Sequence, residues 1–381
     1  MFFTPFVLFC GNNEPLFFFA MKHLSKTIVE KTLWLVPVFL DWFTKNARDL
    51  PWRKTGDPYA IWISEIMLQQ TQVKTVIPYW ERWMRELPTI ESLAKATPEK
   101  ILKFWEGLGY YTRVRNMQKA AQIVCAKPDG KFPENFDEIL ALPGIGRYTA
   151  GAICSIAFNQ PKPILDGNVI RVFTRIFGIS GNLREKKTNA ELWQLAEQFV
   201  NQASAIKRSA ACSYLNQSLM ELGALICTPR QPKCLECPVK QFCIAYQKNR
   251  IEELPNLAKR VEATQRRFIA FIVEKKGRFL VKQRPANVVN ADLWEFPNVE
   301  FVGGKATFSN DPFCIASDAT PFCTIKHSIT RYRITLEAFG ATLSSQKKVS
   351  AGKWLRLSQL QKLAFSSAHR KILDRLILRT N

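Results

Sequence analysis

The sequence predicts an all-α domain followed by a smaller α+β domain, and three observations carry that prediction. Up to about residue 245 the apolar residues recur three and four apart, the spacing of a helix face, whereas beyond 265 they alternate, the spacing of a strand. Between the two lies QKNRIEELPNLAKRVEATQ (247–265), charged and loop-like, which fits a linker. Within the helical part, LPGIGRYTAGAICSIAFNQPKPILDGN (142–168) reads as a helix-hairpin-helix: a glycine hairpin opens one helix, and a second turn opens another. The expected boundaries are an N-terminal extension over 1–22, a helical domain over 23–245, a linker over 246–265 and an α+β domain over 266–381.

With 381 residues, 47% of them apolar, and with 10 Trp and 27 Phe, the chain can build the cores of two or three domains. A net charge of +22 and an isoelectric point near 9.7 favour a polyanionic partner, nucleic acid or an anionic membrane surface, over a merely solvated basic face. Three histidines in the whole chain argue against a His-based triad or a His-rich zinc site, so acid–base work falls to Asp and Glu.

Residues 1–20 are apolar at both ends, but Asn12, Asn13, Glu14 and Pro15 break them short of a membrane span, and no basic leading region marks a signal peptide. Translation is expected to start at Met21; recovery of Phe2 or Phe3 on N-terminal sequencing of the native protein would exclude this. A helix is expected from His23 to about Trp52 on Leu33, Val36, Phe39, Leu40 and Phe43, ending at Leu50-Pro51-Trp52-Arg53. Another is expected across Tyr59–Val76. There Glu65 has Ile61, Trp62, Leu68 and Gln69 three and four residues away, which puts a carboxylate on an apolar stripe. Desolvation on that stripe favours the neutral acid, as a general acid near neutral pH requires; a Glu tilted to solvent is the plain alternative.

Thr97 before Pro98, and Gly107 and Gly109 beyond, bound further helices in PTIESLAKATPEKILKFWEGLG. In GLGYYTRVRN (107–116) aromatics interleave with Arg113 and Arg115, a composition suited to a loop that wedges a side chain between DNA bases, and also to an ordinary exposed turn. In the hairpin, Gly144 and Gly146 let the backbone approach an anion such as a DNA phosphate, with the N–H groups of the helix beginning at Arg147 aimed toward it. Asp166, in Leu-Asp-Gly-Asn, is a helix N-cap or a carboxylate beside that grip, roles that can coexist.

Helices then run to Ile226 and lead into Cys227, Cys234, Cys237 and Cys243. With no secretion signal to favour disulfides, this C-x6-C-x2-C-x5-C array points to a metal centre, either a tetrahedral zinc or a [4Fe-4S] cluster. Cys10, Cys125, Cys154, Cys212, Cys314 and Cys323 show no ligand spacing and are expected to be buried. Strands are expected over Arg267–Val273, Gly277–Gln283 and Tyr332–Phe339, with a last helix from Ser358 to about Leu378.

Taken together, LPWR (50–53), SEIMLQQTQV (64–73), GLGYYTRVRN (107–116), LPGIGRYTAG (142–151), LDGNV (165–169) and the cysteine spacing resemble the MutY-type adenine DNA glycosylases of the helix-hairpin-helix (endonuclease III) superfamily, over about residues 30–370. Each motif is weak alone; their order and separations are specific. The resemblance implies a two-lobed all-α glycosylase domain whose four cysteines hold a [4Fe-4S] cluster, stapling a loop that carries Arg230 and Lys233 toward phosphates. It implies that Glu65 is the general acid, protonating adenine at N7, and that Asp166 stabilises the oxocarbenium-like sugar as the N-glycosidic bond breaks. Tyr148 stands where the endonuclease III pattern has a lysine nucleophile, so the expected enzyme is monofunctional and leaves an abasic site. Trp52, Arg53 and Val73 would line the pocket for an extruded adenine. Gln70, Thr71, Leu108 and Tyr110 would meet the opposite base and fill the gap, with Tyr110 as the wedge, while Gly144, Gly146 and Arg147 would anchor the strand. The expected partner is double-stranded DNA with adenine opposite 8-oxoguanine or guanine, bound by a monomer in the cytoplasm of a prokaryotic cell, with no membrane involved.

RRFIAFIVEKKGRFLVKQRPANVVNADLWEFPNVEF (266–301) resembles the family's Nudix-like domain, LWEFP being its most specific piece; the acidic metal-binding Nudix signature is missing, so no pyrophosphatase activity is expected. Where the family reads 8-oxoguanine through a Phe-Ser-His loop, this chain has Ile329, Thr330 and Arg331. Thr330 keeps a hydroxyl for the oxidised base, and Arg331 is suited to a phosphate or a guanine edge. Ile170 stands where some relatives have a lysine beside Arg171, which leaves open whether Arg171 compensates. Rival readings are a thymine-mismatch glycosylase, which tolerates tyrosine at 148, a lyase-type glycosylase, and a cluster protein that only scans DNA.

Overall fold

A computed structural model describes residues 26–257, 262–301, 313–316, 318–329, 331–343 and 352–380. Helices occupy the chain to Gln247 and strands begin only at Thr264, so the change of hydrophobic period marks a change of structure. The chain forms two compact units. One takes the chain up to Asp49 together with Ala150–Ala258; the other takes Leu50–Thr149 together with the part beyond Ala258. The helical domain is therefore built in two lobes, and the sheet domain groups with the second.

In the first unit, α1 (Lys26–Asn46) buries Thr32, Leu35, Val36, Phe39, Leu40 and Phe43. Leu33, assigned to that stripe by spacing, is exposed, because Thr32 and Leu35 fill the buried positions of that turn. The helix stops short of Trp52 because Arg48 turns to Glu221. Its backbone N–H and Nε donate to Glu221 Oε1 (2.9 and 2.8 Å) and its Nη2 to Oε2 (2.6 Å).

Two later helices of this unit, spanning Lys186–Ser204 and Ala211–Leu225, cover α1, with the Phe39 ring 6.1 Å from Phe199 and the Phe43 ring 5.7 Å from Tyr214. The stretch expected to be a linker is partly anchored here: Leu254 is buried, and its carbonyl accepts from Arg175 Nε at 3.0 Å.

In the second unit, α2 (Pro58–Leu68) and α3 (Val73–Glu86) replace the single helix expected over Tyr59–Val76. The break falls at Gln70, whose φ of 60° is left-handed and cannot continue a right-handed helix. Helix α2 is buried from Tyr59 to Met67, and two indoles fasten α3 to it: Trp80 Nε1 donates to Ala60 O (3.0 Å) and Trp83 Nε1 to Tyr59 Oη (3.1 Å). Thr89 caps α4 (Ile90–Lys95), and Thr97 caps α5 (Pro98–Trp105) as its place before Pro98 predicts. Helix α6 (Thr112–Cys125) already contains Arg113, Arg115 and Asn116, which composition alone placed in a loop. Helices α7 (Phe136–Leu140), capped by Asn135, and α8 (Arg147–Phe158) flank the glycine hairpin.

The sheet is organised on β1 (Thr264–Lys275), which leads into β2 (Arg278–Gln283). It pairs in parallel, from Thr264 with Tyr332 to Val273 with Ala341, with the long strand Tyr332–Leu343. That strand pairs antiparallel with Cys323–Ile329, and Ile329 faces Tyr332. Strand β1 is apolar on both faces. Ala270 and Ile272 join a core with Phe296, Phe365, Ile372 and Leu373; Ile269, Phe271 and Val273 join a second core with Leu280. LWEFP contributes Leu293, Trp294 and Phe296 to the buried interior.

The single last helix expected over Ser358–Leu378 is two, Leu357–Leu360 and Ser367–Thr380. The segment between them is tied to α5 and the residue after it. Lys103 Nζ donates to Leu363 O (2.8 Å), and Glu106 accepts from Phe365 N–H (2.8 Å), Arg370 Nη1 (3.3 Å) and Lys103 Nζ (2.6 Å). Among the described residues no helix is long and apolar enough to cross a membrane.

Candidate active site and nucleic-acid interface

Glu65 lies in the middle of the buried helix α2 and is only 5% exposed. Tyr148, the second residue of α8, donates its O–H to Glu65 Oε2 at 2.7 Å, and Gln69 Nε2 reaches Thr149 Oγ1 at 3.4 Å. The start of the hairpin helix is thereby set against the acid. In the hairpin Ile145 N–H closes on Leu142 O (3.1 Å), and Gly144 adopts φ +79° with Asn116 Cβ 2.7 Å from where its own Cβ would stand. The conformational demand expected of two glycines falls on Gly144. Gly146 meets nothing within 4 Å where a Cβ would stand, and Gly146 and Arg147 are exposed.

Around this centre Trp52 is buried, edge-on to Trp80 at 6.1 Å, while Arg53 and Val73, the first residue of α3, are half-buried. Gln70 is exposed, Thr71 is half-buried, and Tyr110 stands 51% exposed with φ 47°. Leu108, expected beside Tyr110 at the DNA surface, points inward and is 7% exposed. Arg113 and Arg115 also depart from the expectation of cations offered to DNA. Arg113 spends its guanidinium on backbone carbonyls, and Arg115 pairs with Asp292 at 3.2 Å.

Asp166 belongs to the other unit and caps the helix Gly167–Phe177. Its Oδ1 accepts from Val169 N–H (2.8 Å) and its Oδ2 from Asn168 Nδ2 (2.9 Å). Burial pushes its carboxyl above the usual aspartate range, while these two bonds and the Arg171 charge pull the other way. Arg171 does not stand in for a lysine at half-buried Ile170. It is 8% exposed, and its guanidinium donates to the carbonyls of Cys227 (2.6 Å), Gly223 (2.7 Å) and Gly167 (3.3 Å) and to Asn168 Oδ1 (2.8 Å).

Cys227, Cys234, Cys237 and Cys243 line one small cavity whose wall is otherwise mostly aliphatic, with Val172, Ile176, Leu222 and Ile226. Arg175 frames it, with Nη1 3.5 Å from Cys227 Sγ and its carbonyl accepting from Cys243 Sγ at 3.3 Å. Burial, reinforced by the neighbouring thiols, pushes Cys237 up to about 12. Four thiols on one apolar cavity suit an iron–sulfur cluster, whose iron would displace their protons. Among the described residues no group of three or more His, Cys, Asp or Glu is arranged to hold a single metal ion. Lys233 and Arg230 are exposed on this loop, Lys233 within 3.6 Å of Glu236. Of the other cysteines, Cys154, Cys212 and Cys323 are buried and Cys125 is half-buried; Cys314, on a short edge strand, is exposed, and Cys10 lies outside the described residues.

In the sheet domain Ile329 ends its strand half-buried, and exposed Arg331 donates to Tyr332 Oη at 3.1 Å; Thr330 lies outside the described residues. The only acid of LWEFP, Glu295, is buried among Lys282, Arg284 and His369, a structural cluster. Neither the hydrogen bond of Gln69 nor the carbonyl contacts of Arg113 was foreseen. The available signal was an arginine at a helix start directly after a glycine turn, where backbone carbonyls lie within its reach.

Residues 63–198 match the family model of the HhH-GPD superfamily base excision DNA repair proteins, 227–243 that of the iron-sulfur binding domain of endonuclease III, and 269–375 that of the NUDIX domain. The cluster model begins and ends on the outer cysteines of the array. The adenine DNA glycosylase of Homo sapiens is 32% identical over 92% of this chain and 75% of its own length. That of Buchnera aphidicola subsp. Acyrthosiphon pisum is 42% identical over 68% of this chain and 72% of its own. Among solved structures, a thermostable thymine-DNA glycosylase aligns with TM-score 0.51 and 32% identity over 57% of this chain and 98% of that one. With a helix-hairpin-helix domain, an iron–sulfur loop and a Nudix-like domain in this order, and with identity running through three quarters of a curated relative, the chain belongs to the adenine DNA glycosylase family.

Proposed function

We propose that this enzyme hydrolyses the N-glycosidic bond of adenine mispaired with 8-oxoguanine or guanine and leaves an abasic site without cutting the strand. The observation that carries the reading is the Tyr148 hydroxyl on the buried Glu65 carboxyl. In this reading the buried Glu65 is the acid that gives a proton to adenine N7, and the Tyr148 hydroxyl holds its carboxyl in place. As the C1′–N9 bond breaks, adenine leaves with its electron pair, Asp166 stabilises the cationic sugar, and water adds to C1′. A tyrosine at 148 holds the acid and offers no amine to attack the sugar.

DNA would be gripped at Gly144, Gly146 and Arg147 and read at Gln70, Thr71, Tyr110 and Thr330, with Leu108 supporting the wedge from inside. The flipped base would lie by Trp52, Arg53 and Val73. Cys227, Cys234, Cys237 and Cys243 would hold a [4Fe-4S] cluster, which shapes the loop bearing Arg230 and Lys233. The protein would act as a monomer on the cell's own duplex DNA.

Likeness to a thymine-DNA glycosylase supports a second reading, thymine opposite guanine. A single-turnover panel of adenine opposite 8-oxoguanine, guanine and cytosine, with thymine opposite guanine as the fourth duplex, separates the two. Excision retained by both Glu65→Gln and Asp166→Asn would remove the catalytic assignment, and a borohydride-trapped adduct would remove the monofunctional one.

A further inference from the structure

Two of the residues read above as DNA contacts, Gln70 and Tyr110, share an uncommon backbone state: neither is glycine, yet their φ values are 60° and 47°. That region is costly for a side chain bearing a Cβ and persists only where the surroundings fix it. One guanidinium reaches both segments, and Trp105 Nε1 adds a bond to Gly109 O (2.9 Å). Arg113 Nη1 donates to Ile66 O (2.6 Å) and Gln69 O (2.7 Å), and its Nη2 donates to Leu108 O (3.1 Å) and Gly109 O (3.2 Å).

Gln69 O and Gly109 O belong to the peptide groups directly preceding Gln70 and Tyr110. Holding those carbonyls sets the plane from which each strained residue departs. Ile66 O is among the last carbonyls of α2, which no helical N–H serves, so the same fork also finishes the helix bearing Glu65. The guanidinium lies 5.2 Å from the Trp105 ring centroid and 5.6 Å from that of Tyr110, so it contacts the proposed wedge through both backbone and ring.

We propose that Arg113 is a positioning residue that locks the two reading loops, 69–71 and 108–110, in one mutual register, so that Gln70 and Tyr110 meet the duplex together. A lysine keeps the charge but cannot aim paired donors at two segments, which is what the planar fork supplies. The inference rests on the DNA-contact reading of Tyr110 and Gln70, and the test separates the two.

Wild type, Tyr110→Ala, Arg113→Lys and the double variant are compared as full-length proteins. Binding is measured to a duplex with an uncleavable adenine analogue opposite 8-oxoguanine and to the matched duplex, with thermal melting alongside. Tyr110→Ala is expected to reduce the preference for the mispair about tenfold, Arg113→Lys by a similar factor, and the double variant by no more than about twofold beyond either single change. If Tyr110→Ala leaves the preference within twofold, the contact reading fails and the positioning role with it. If Tyr110→Ala weakens it but Arg113→Lys leaves it within twofold, or multiplies with Tyr110→Ala to about a hundredfold, the positioning role alone is overturned. Should Arg113→Lys fail to fold, Arg113→Gln, which keeps an amide donor without the fork, is read by the same criteria.

Discussion

Replacing Tyr148 by Phe deletes one oxygen, and with it the donor 2.7 Å from Glu65 Oε2. With neutral Glu65 that bond is an ordinary one, of net worth about 1 kcal/mol. In the proposed mechanism the proton passes to adenine and the same oxygen then belongs to a carboxylate, to which a bond is worth about 1.5–3 kcal/mol. The difference of about 0.5–2 kcal/mol is stabilisation that appears only as the proton leaves, so Tyr148→Phe should slow base release by a factor of roughly 2–30. Substrate binding should change little, and the ground-state loss should lower stability by about 1 kcal/mol. Single-turnover base release at saturating enzyme, with urea unfolding of the same variant, measures both quantities. A release rate within twofold of wild type, accompanied by the stability loss, would refute the reasoning, since the bond would then serve the fold and not the proton transfer.

The remaining predictions concern other parts of the molecule. Because burial raises the Asp166 carboxyl and the proposed mechanism uses its anion, the acid limb of the single-turnover pH profile should lie above the ordinary aspartate value of 3.8. The same shift has the opposite sign for folding: its contribution to stability is present at low pH and lost as pH rises through the raised value, so Asp166→Asn should flatten that slope in urea titrations. Glu221→Gln removes the charge facing Arg48 at a side chain 1% exposed; as Arg48 is 32% exposed and keeps some water, the cost should be about 2 kcal/mol in urea unfolding. Wild-type protein purified without oxygen should contain equal amounts of iron and acid-labile sulfide, Cys237→Ser should lose both, and zinc in their place would overturn the cluster.

Much of the local structure of the candidate site was legible because its signals are local. Glu65 betrays itself by its neighbours at three and four residues, and α2 proved buried along nearly its whole length. The Asp166 cap follows from Leu-Asp-Gly-Asn, and the cysteine spacing is a linear property. What escaped depends on segments distant in the chain. The break at Gln70 has no Gly or Pro to announce it, since a turn held by Arg113 from 43 positions further on needs neither. GLGYYTRVRN looked like a loop offering cations because composition does not say which way a guanidinium turns; with four carbonyls around it, Arg113 turns inward. Likewise Leu254 is hidden among charges in an apparent linker, and only the buried Arg175 beneath it gives it a place.

The carboxylate of Glu106 has a consequence for how the molecule is made. Its partners Phe365 and Arg370 lie 259 and 264 positions further along the chain, within the same compact unit. At ordinary rates of synthesis they follow it after roughly 15–50 s. Through that interval the lobe bearing Glu65 has Lys103 against Glu106 but lacks the last helix, while the whole segment Ala150–Ala258 emerges in between. The lobe with Glu65 is thus begun before the segment Ala150–Ala258 is made and finished only after it, so its closure waits on Phe365 and Arg370.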